Sequence, residues 1–128
     1  MKSLITIFLT CFSTCLFGQK LECRRYENGK FKIIDPEVGN SIIERNDSTQ
    51  IEYGEDSKLK LEFDVKWIND CTYTLELSRV IENPENIQLP EGMILTIRIL
   101  ETKQNSYVQE TSSNLFSMVR KTEMIRIE

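Results

Sequence analysis

Between positions 58 and 67, apolar and charged residues alternate without a break. Leu59, Leu61, Phe63, Val65 and Trp67 are interleaved with Lys58, Lys60, Glu62, Asp64 and Lys66. A period of two is the signature of a strand with one dry face and one wet face. The alternation resumes after Ile68-Asn69-Asp70, with Cys71, Tyr73, Leu75 and Leu77 on one side and Thr72, Thr74, Glu76 and Ser78 on the other. Both apolar sets are odd-numbered, and residues facing each other across an antiparallel pair share a face. Trp67 opposite Cys71 meets that condition and predicts a hairpin with Ile68-Asn69-Asp70 as a three-residue loop.

The same signals predict six further strands around this hairpin. Asn28-Gly29 turns the chain into a first strand at 30–33, which Asp35-Pro36 and Gly39-Asn40 break. Strands at 41–45 and 49–53 flank Asn46-Asp47-Ser48, a glycosylation sequon that reads more simply as a turn. Residues 54–57 form the next turn, followed by the central hairpin as strands four and five. The stretch 83–92 holds Pro84 and Pro90 and reads as a longer loop. Met93, Leu95, Ile97 and Ile99 mark a sixth strand, 106–111 a seventh, and 122–127, with Ile125 and Ile127 on one face, an eighth. In 112–120 the spacing of Leu115, Phe116 and Val119 sets a short helical turn against a strand.

Eight short strands joined mostly by tight turns predict an all-β fold, an eight-stranded antiparallel up-and-down barrel, which buries one face and leaves no edge. A two-layer β-sandwich is the alternative. In a barrel, Phe31, Ile51, Tyr53, Phe63, Val65, Trp67, Tyr73, Leu75, Leu95, Ile97 and Tyr107 are expected to face inward. They either fill the interior or leave room for a ligand.

The beginning of the chain changes this picture. Lys2, the apolar run 4–12 and the small and polar residues before Gly18-Gln19 have the three-part layout of a secretory signal peptide at 1–18, leaving 19–128 as a single domain. Lipid-anchoring cleavage before Cys15 or Cys11 is the secondary reading. Export to the periplasm or the medium follows, and it makes the remaining two cysteines a pair: Cys23 and Cys71 are expected to form a disulfide, with two free thiols as the alternative. No apolar run in 19–128 is long enough for a transmembrane helix.

Charge and residue inventory narrow the chemistry. The whole chain carries a net charge of −4, which gives no general attraction for nucleic acid or anionic lipid. Histidine is absent, and glycines occur only singly. That removes imidazole-based catalysis, most zinc sites and phosphate-cradling loops, so no enzyme, metal site or cofactor is expected. Glu52, Glu55, Asp56, Glu62 and Asp64 read as a solvated acidic face, and Arg24, Arg25, Lys30 and Lys32 as a solvated basic arm.

Two short motifs carry a resemblance. Cys23, followed after five residues by Gly29-Lys30-Phe31, and the hairpin Trp67-Ile68-Asn69-Asp70-Cys71-Thr72-Tyr73 are similar to those of small exported lipocalin-like proteins of bacteria, in the calycin superfamily. Lipocalins open their first strand with Gly-x-Trp; here Phe31 stands at the tryptophan position, and Arg126 is the candidate for the arginine that packs over it. The resemblance implies an exported, non-catalytic barrel that binds a small hydrophobic molecule, for which Tyr53, Phe63, Trp67, Tyr73 and Leu95 are the candidate ligand-binding residues. The competing expectation is a cell-envelope interaction module with a packed core, meeting another envelope protein through a strand edge or the 83–92 loop.

Overall fold

The computed structural model describes residues 20–128; the leader read at 1–18 lies outside the described residues. Eight strands follow one another: β1 (Gly29–Ile33), β2 (Ser41–Asn46), β3 (Thr49–Gly54), β4 (Lys60–Asn69), β5 (Thr72–Glu82), β6 (Ile94–Thr102), β7 (Ser106–Ser113) and β8 (Arg120–Arg126). Each pairs antiparallel with the next, and β8 returns to β1 through Phe31 opposite Arg126 and Lys32 opposite Ile125. The barrel is closed, as the alternation predicts, and the sandwich is ruled out. Among the described residues no helix is long and apolar enough to cross a membrane.

The meander gives the barrel two unlike ends. At one end lie the tight turns between β2 and β3, β4 and β5, and β6 and β7, together with a 3-10 turn at Cys23–Tyr26. At the other lie the longer connections 34–40, 55–59, 83–93 and 114–119. The segment 112–120, where a helical turn competes with strand, instead ends β7, crosses this second end as an irregular loop and opens β8.

Registers explain two departures from the predicted pairing. In the central hairpin Trp67 faces Tyr73, not Cys71; the pairing then slips past Ile68, so that Asn69 faces Thr72. The bulge absorbs one residue, and odd-numbered positions stay inside. The turn between β2 and β3 has a larger effect. It spans Asp47 and Ser48 alone, with Asn46 opposite Thr49. A two-residue turn where three residues were expected inverts the whole following strand. Gln50 and Glu52 therefore face inward, Ile43 opposite Glu52 and Glu52 opposite Leu61. Ile51 and Tyr53, expected inside, lie on the outer surface beside Lys30, Ile42 and Lys60. Ile125 and Ile127 do share a face, but Met124 is the β8 residue in the core, 1% exposed.

The core runs through Phe31, Ile43, Phe63, Val65, Tyr73, Leu75, Ile97, Ile99, Tyr107 and Met124, all buried. Burial of such side chains contributes roughly 1.5–3 kcal/mol each relative to exposure. Gly29 holds its place in the first strand for a steric reason. Its φ is +144°, and a Cβ there would lie 3.2 Å from the Phe31 ring and 3.5 Å from the Arg126 guanidinium. Side chains rarely adopt that backbone conformation, and a Cβ would also press on the Phe31 ring.

Candidate functional site

The short-turn end is sealed. The 3-10 turn lies across it, Cys23 is joined to Cys71 with Cα atoms 5.2 Å apart, and the Tyr26 hydroxyl donates to the Lys103 carbonyl at 2.6 Å. Tyr26 is 1% exposed and packs its ring 5.0 Å from Tyr107. The Arg126 guanidinium sits 5.4 Å from the Phe31 ring centre and 5.0 Å from that of Tyr26, and donates to the Arg25 and Asn28 carbonyls. This is the arginine-over-aromatic contact that the resemblance implies, with Phe31 in the ring's place.

Directly inside this seal lies Arg45, 2% exposed. Its position on β2, in step with Ile43, carries it inward. All five of its N–H donors are used: Nε on the Glu27 carbonyl, Nη1 on Gln50 Oε1 and the Tyr73 hydroxyl, Nη2 on the Tyr26 carbonyl and the Tyr107 hydroxyl, at 2.7–3.0 Å. Its guanidinium also lies 4.6 Å from the Tyr73 ring centre and 5.0 Å from that of Phe31. Burial opposes the arginine's charge, and the Tyr73 and Tyr107 hydroxyls offset this and hold its pKa above the ordinary value. Burial pushes the Tyr73 pKa well up, with neighbouring Tyr107 adding to the rise, so Tyr73 keeps its proton. The network continues from the Tyr73 hydroxyl to Gln109 Oε1 at 3.2 Å, and from Gln109 Nε2 to the Thr122 hydroxyl at 3.2 Å.

Above that floor the barrel holds a cavity of about 170 Å³ that opens toward the long loops. Its lining is two-sided. Leu75, Leu95 and Ile97 from β5 and β6 form an apolar wall; Gln50 and Glu52 from β3, with Gln109, Thr111 and Thr122 from β7 and β8, form polar walls. At the mouth Arg120 donates to Asp35. The Asp35 pKa is held below its ordinary value chiefly by the Glu37 backbone N–H, with the Val38 N–H and Arg120 adding to the effect. Glu52 has no such support. The barrel wall partly desolvates its carboxyl and raises its pKa, while the side chain keeps some exposure through the cavity. It makes no hydrogen bond or ion pair among the described residues, and its carboxyl, not sealed from solvent, faces the cavity.

Of the candidate residues, Tyr73 and Leu95 line the cavity. Phe63 is buried without lining it. Trp67 is partly buried at the sealed end, its ring 4.6 Å from Tyr73. Tyr53 is on the outer surface, with the Lys58 ammonium 5.9 Å from its ring centre. Sequence reasoning missed Arg45, Gln50, Glu52 and Gln109, because charged and amide side chains in alternating strands are ordinarily assigned to water. The signals that could have placed three of them are β2 alternation and turn length: Arg45 is in step with inward Ile43, and the two-residue Asp47-Ser48 turn then brings Gln50 and Glu52 to the same face.

Comparison of the chain with protein-family models, with curated proteins and with solved structures gives no match.

Proposed function

We propose that this protein is an exported, non-catalytic barrel of calycin type that binds a small molecule in the cavity at its open end. The observation that carries the reading is that cavity, with one apolar wall and one polar side above a floor closed by Arg45, the 3-10 turn and the disulfide. The leader-like start and the Cys23–Cys71 bond support export. The Gly29-x-Phe31 opening and the Arg126 contact support the calycin assignment. Size selects the ligand. An apolar cavity of about 150 Å³ takes benzene, so about 170 Å³ suits a molecule of one ring, not a long acyl chain. The mixed lining favours a ligand with a polar group over a pure hydrocarbon.

Methyl-resolved NMR tests this directly. Single-ring compounds are expected to shift the methyl resonances of Ile43, Leu75, Leu95, Ile97 and Met124, while a C16 fatty acid leaves them in place. The substitution Leu95→Phe fills the apolar side and is expected to weaken binding at least tenfold, at a stability cost of roughly 1–3 kcal/mol for the added volume. A broad panel of ring-sized compounds that moves none of these methyls would overturn the reading.

A second reading, docking to an envelope protein, is favoured by the open-end loops, which expose Val38, Phe116, Met118 and Val119. The barrel is closed, and β5 pairs with β6 only over Thr72–Glu76, so a protein partner would meet these loops or the β5 edge beyond Glu76. Substituting Phe116 and Met118 with serine separates the two readings: it abolishes docking through the loops and leaves ring-sized ligands bound.

A further inference from the structure

The cavity contains one charge with no counterpart. Glu52 lies on the inner face of β3 between buried Ile43 and buried Leu61, across the β2 and β4 pairings. The cations that could neutralise it are committed elsewhere. Arg45 spends all five donors on uncharged acceptors deeper in the barrel, and Arg120 pairs with Asp35 at the mouth. Lys30 and Lys60 lie in the groove on the outer surface. A carboxylate partly desolvated on a cavity wall without a partner destabilises the folded state, and a cation seated in the cavity would relieve that cost.

We propose that Glu52 anchors the ligand and that the ligand is a small organic cation, a ring-sized amine whose nitrogen pairs with the Glu52 carboxylate while its hydrocarbon part lies against Leu75, Leu95 and Ile97. This rests on the cavity-binding reading above and adds the ligand's chemistry to it. The flanking acceptors suit the same group. The Thr111 hydroxyl is on the cavity wall, and the Gln50 and Gln109 amide oxygens there each accept one bond, from Arg45 and Tyr73, and keep a second lone pair. An ammonium held by a carboxylate can fill its remaining N–H positions with such neutral oxygens. An anionic ligand of the same size would instead meet the acid head-on.

Benzylamine and benzyl alcohol, nearly equal in size and differing in charge, test the anchor. Benzylamine is expected to bind the wild-type protein about tenfold more tightly, the difference between a charge-assisted and a neutral hydrogen bond. Glu52→Gln is expected to erase that advantage, so that the variant no longer prefers benzylamine to benzyl alcohol. In the wild-type protein, benzylamine is expected to shift the ¹³C resonance of the Glu52 carboxyl and benzyl alcohol to leave it near its free position, which keeps the test independent of the variant's folding. Equal binding of both compounds, or an unmoved Glu52 resonance with benzylamine bound, overturns the anchor and leaves the cavity reading standing. Failure of both compounds to shift any cavity methyl takes down both.

Discussion

Arg45 is the most demanding side chain in the barrel, because its charge is buried among neutral acceptors and its geometry must satisfy all of them at once. Arg45→Met would leave the Tyr26 and Glu27 carbonyls and two tyrosine hydroxyls without their donor, and we expect a loss of about 3–5 kcal/mol in urea unfolding. Arg45→Lys should recover little of it, since an ammonium cannot reproduce the planar fork. Tyr73→Phe removes a single hydroxyl from the network and should cost about 1–3 kcal/mol. Glu52 behaves in the opposite sense. Its pKa is raised in the folded state, so the folded protein keeps this proton where the unfolded chain has already released it. Stability contributed by the neutral acid is then lost as pH rises from the ordinary value of 4.5 through the raised one. We expect Glu52→Gln to be more stable than the wild type at pH 7 and indistinguishable from it below about pH 4. Equal denaturation midpoints at pH 7 would show that the carboxyl is solvated through the cavity mouth and that its pKa is not raised.

At the scale of elements, the turns decide which side chains the barrel keeps. Alternation alone fixes β4, because five charged residues on one face of 58–67 cannot all be inside, and the structure agrees. It misleads in β3, where Ile51 and Tyr53 are more apolar than Gln50 and Glu52 yet lie outside. Nothing in that strand's own composition signals the inversion; the two residues Asp47 and Ser48 impose it from the preceding hairpin. The β-barrel and the disulfide were legible because their signals are periodicity and pairing, whereas the polar cavity wall arises from register. Inserting one glycine between Asp47 and Ser48 should therefore either be absorbed as a bulge or turn Glu52 outward, and a loss of its effect on pH-dependent stability would report the second outcome. The link between Cys23 and Cys71 spans a sequence separation of 48. The chain-entropy relation gives about 4 kcal/mol for a loop of that length. The double substitution Cys23→Ser and Cys71→Ser should lower stability by about that amount in guanidinium titrations and speed hydrogen exchange at residues 23–26 before it affects the open end.

The whole molecule divides its labour between its ends, one stapled and packed with aromatic rings, the other made of longer loops around a mouth. All strand pairings join sequence neighbours except β1 with β8, so the final closure brings together residues about 95 positions apart, such as Phe31 and Arg126. Folding limited by such non-local pairing is expected on the millisecond to second scale, measurable by stopped-flow fluorescence of Trp67. Trp67 is well placed for that purpose and poorly placed to sense a ligand, since it sits at the sealed end and does not line the cavity. Lys20 and Glu128 both lie at that same end, the first beside Cys23 and Asp70, the second bonded through its carbonyl to the Lys30 amide. A tether attached at Lys20 or at Glu128, whether a biosensor linker or a fused reporter, would hold the barrel upright like a cup on its stem, with its opening presented to the solution.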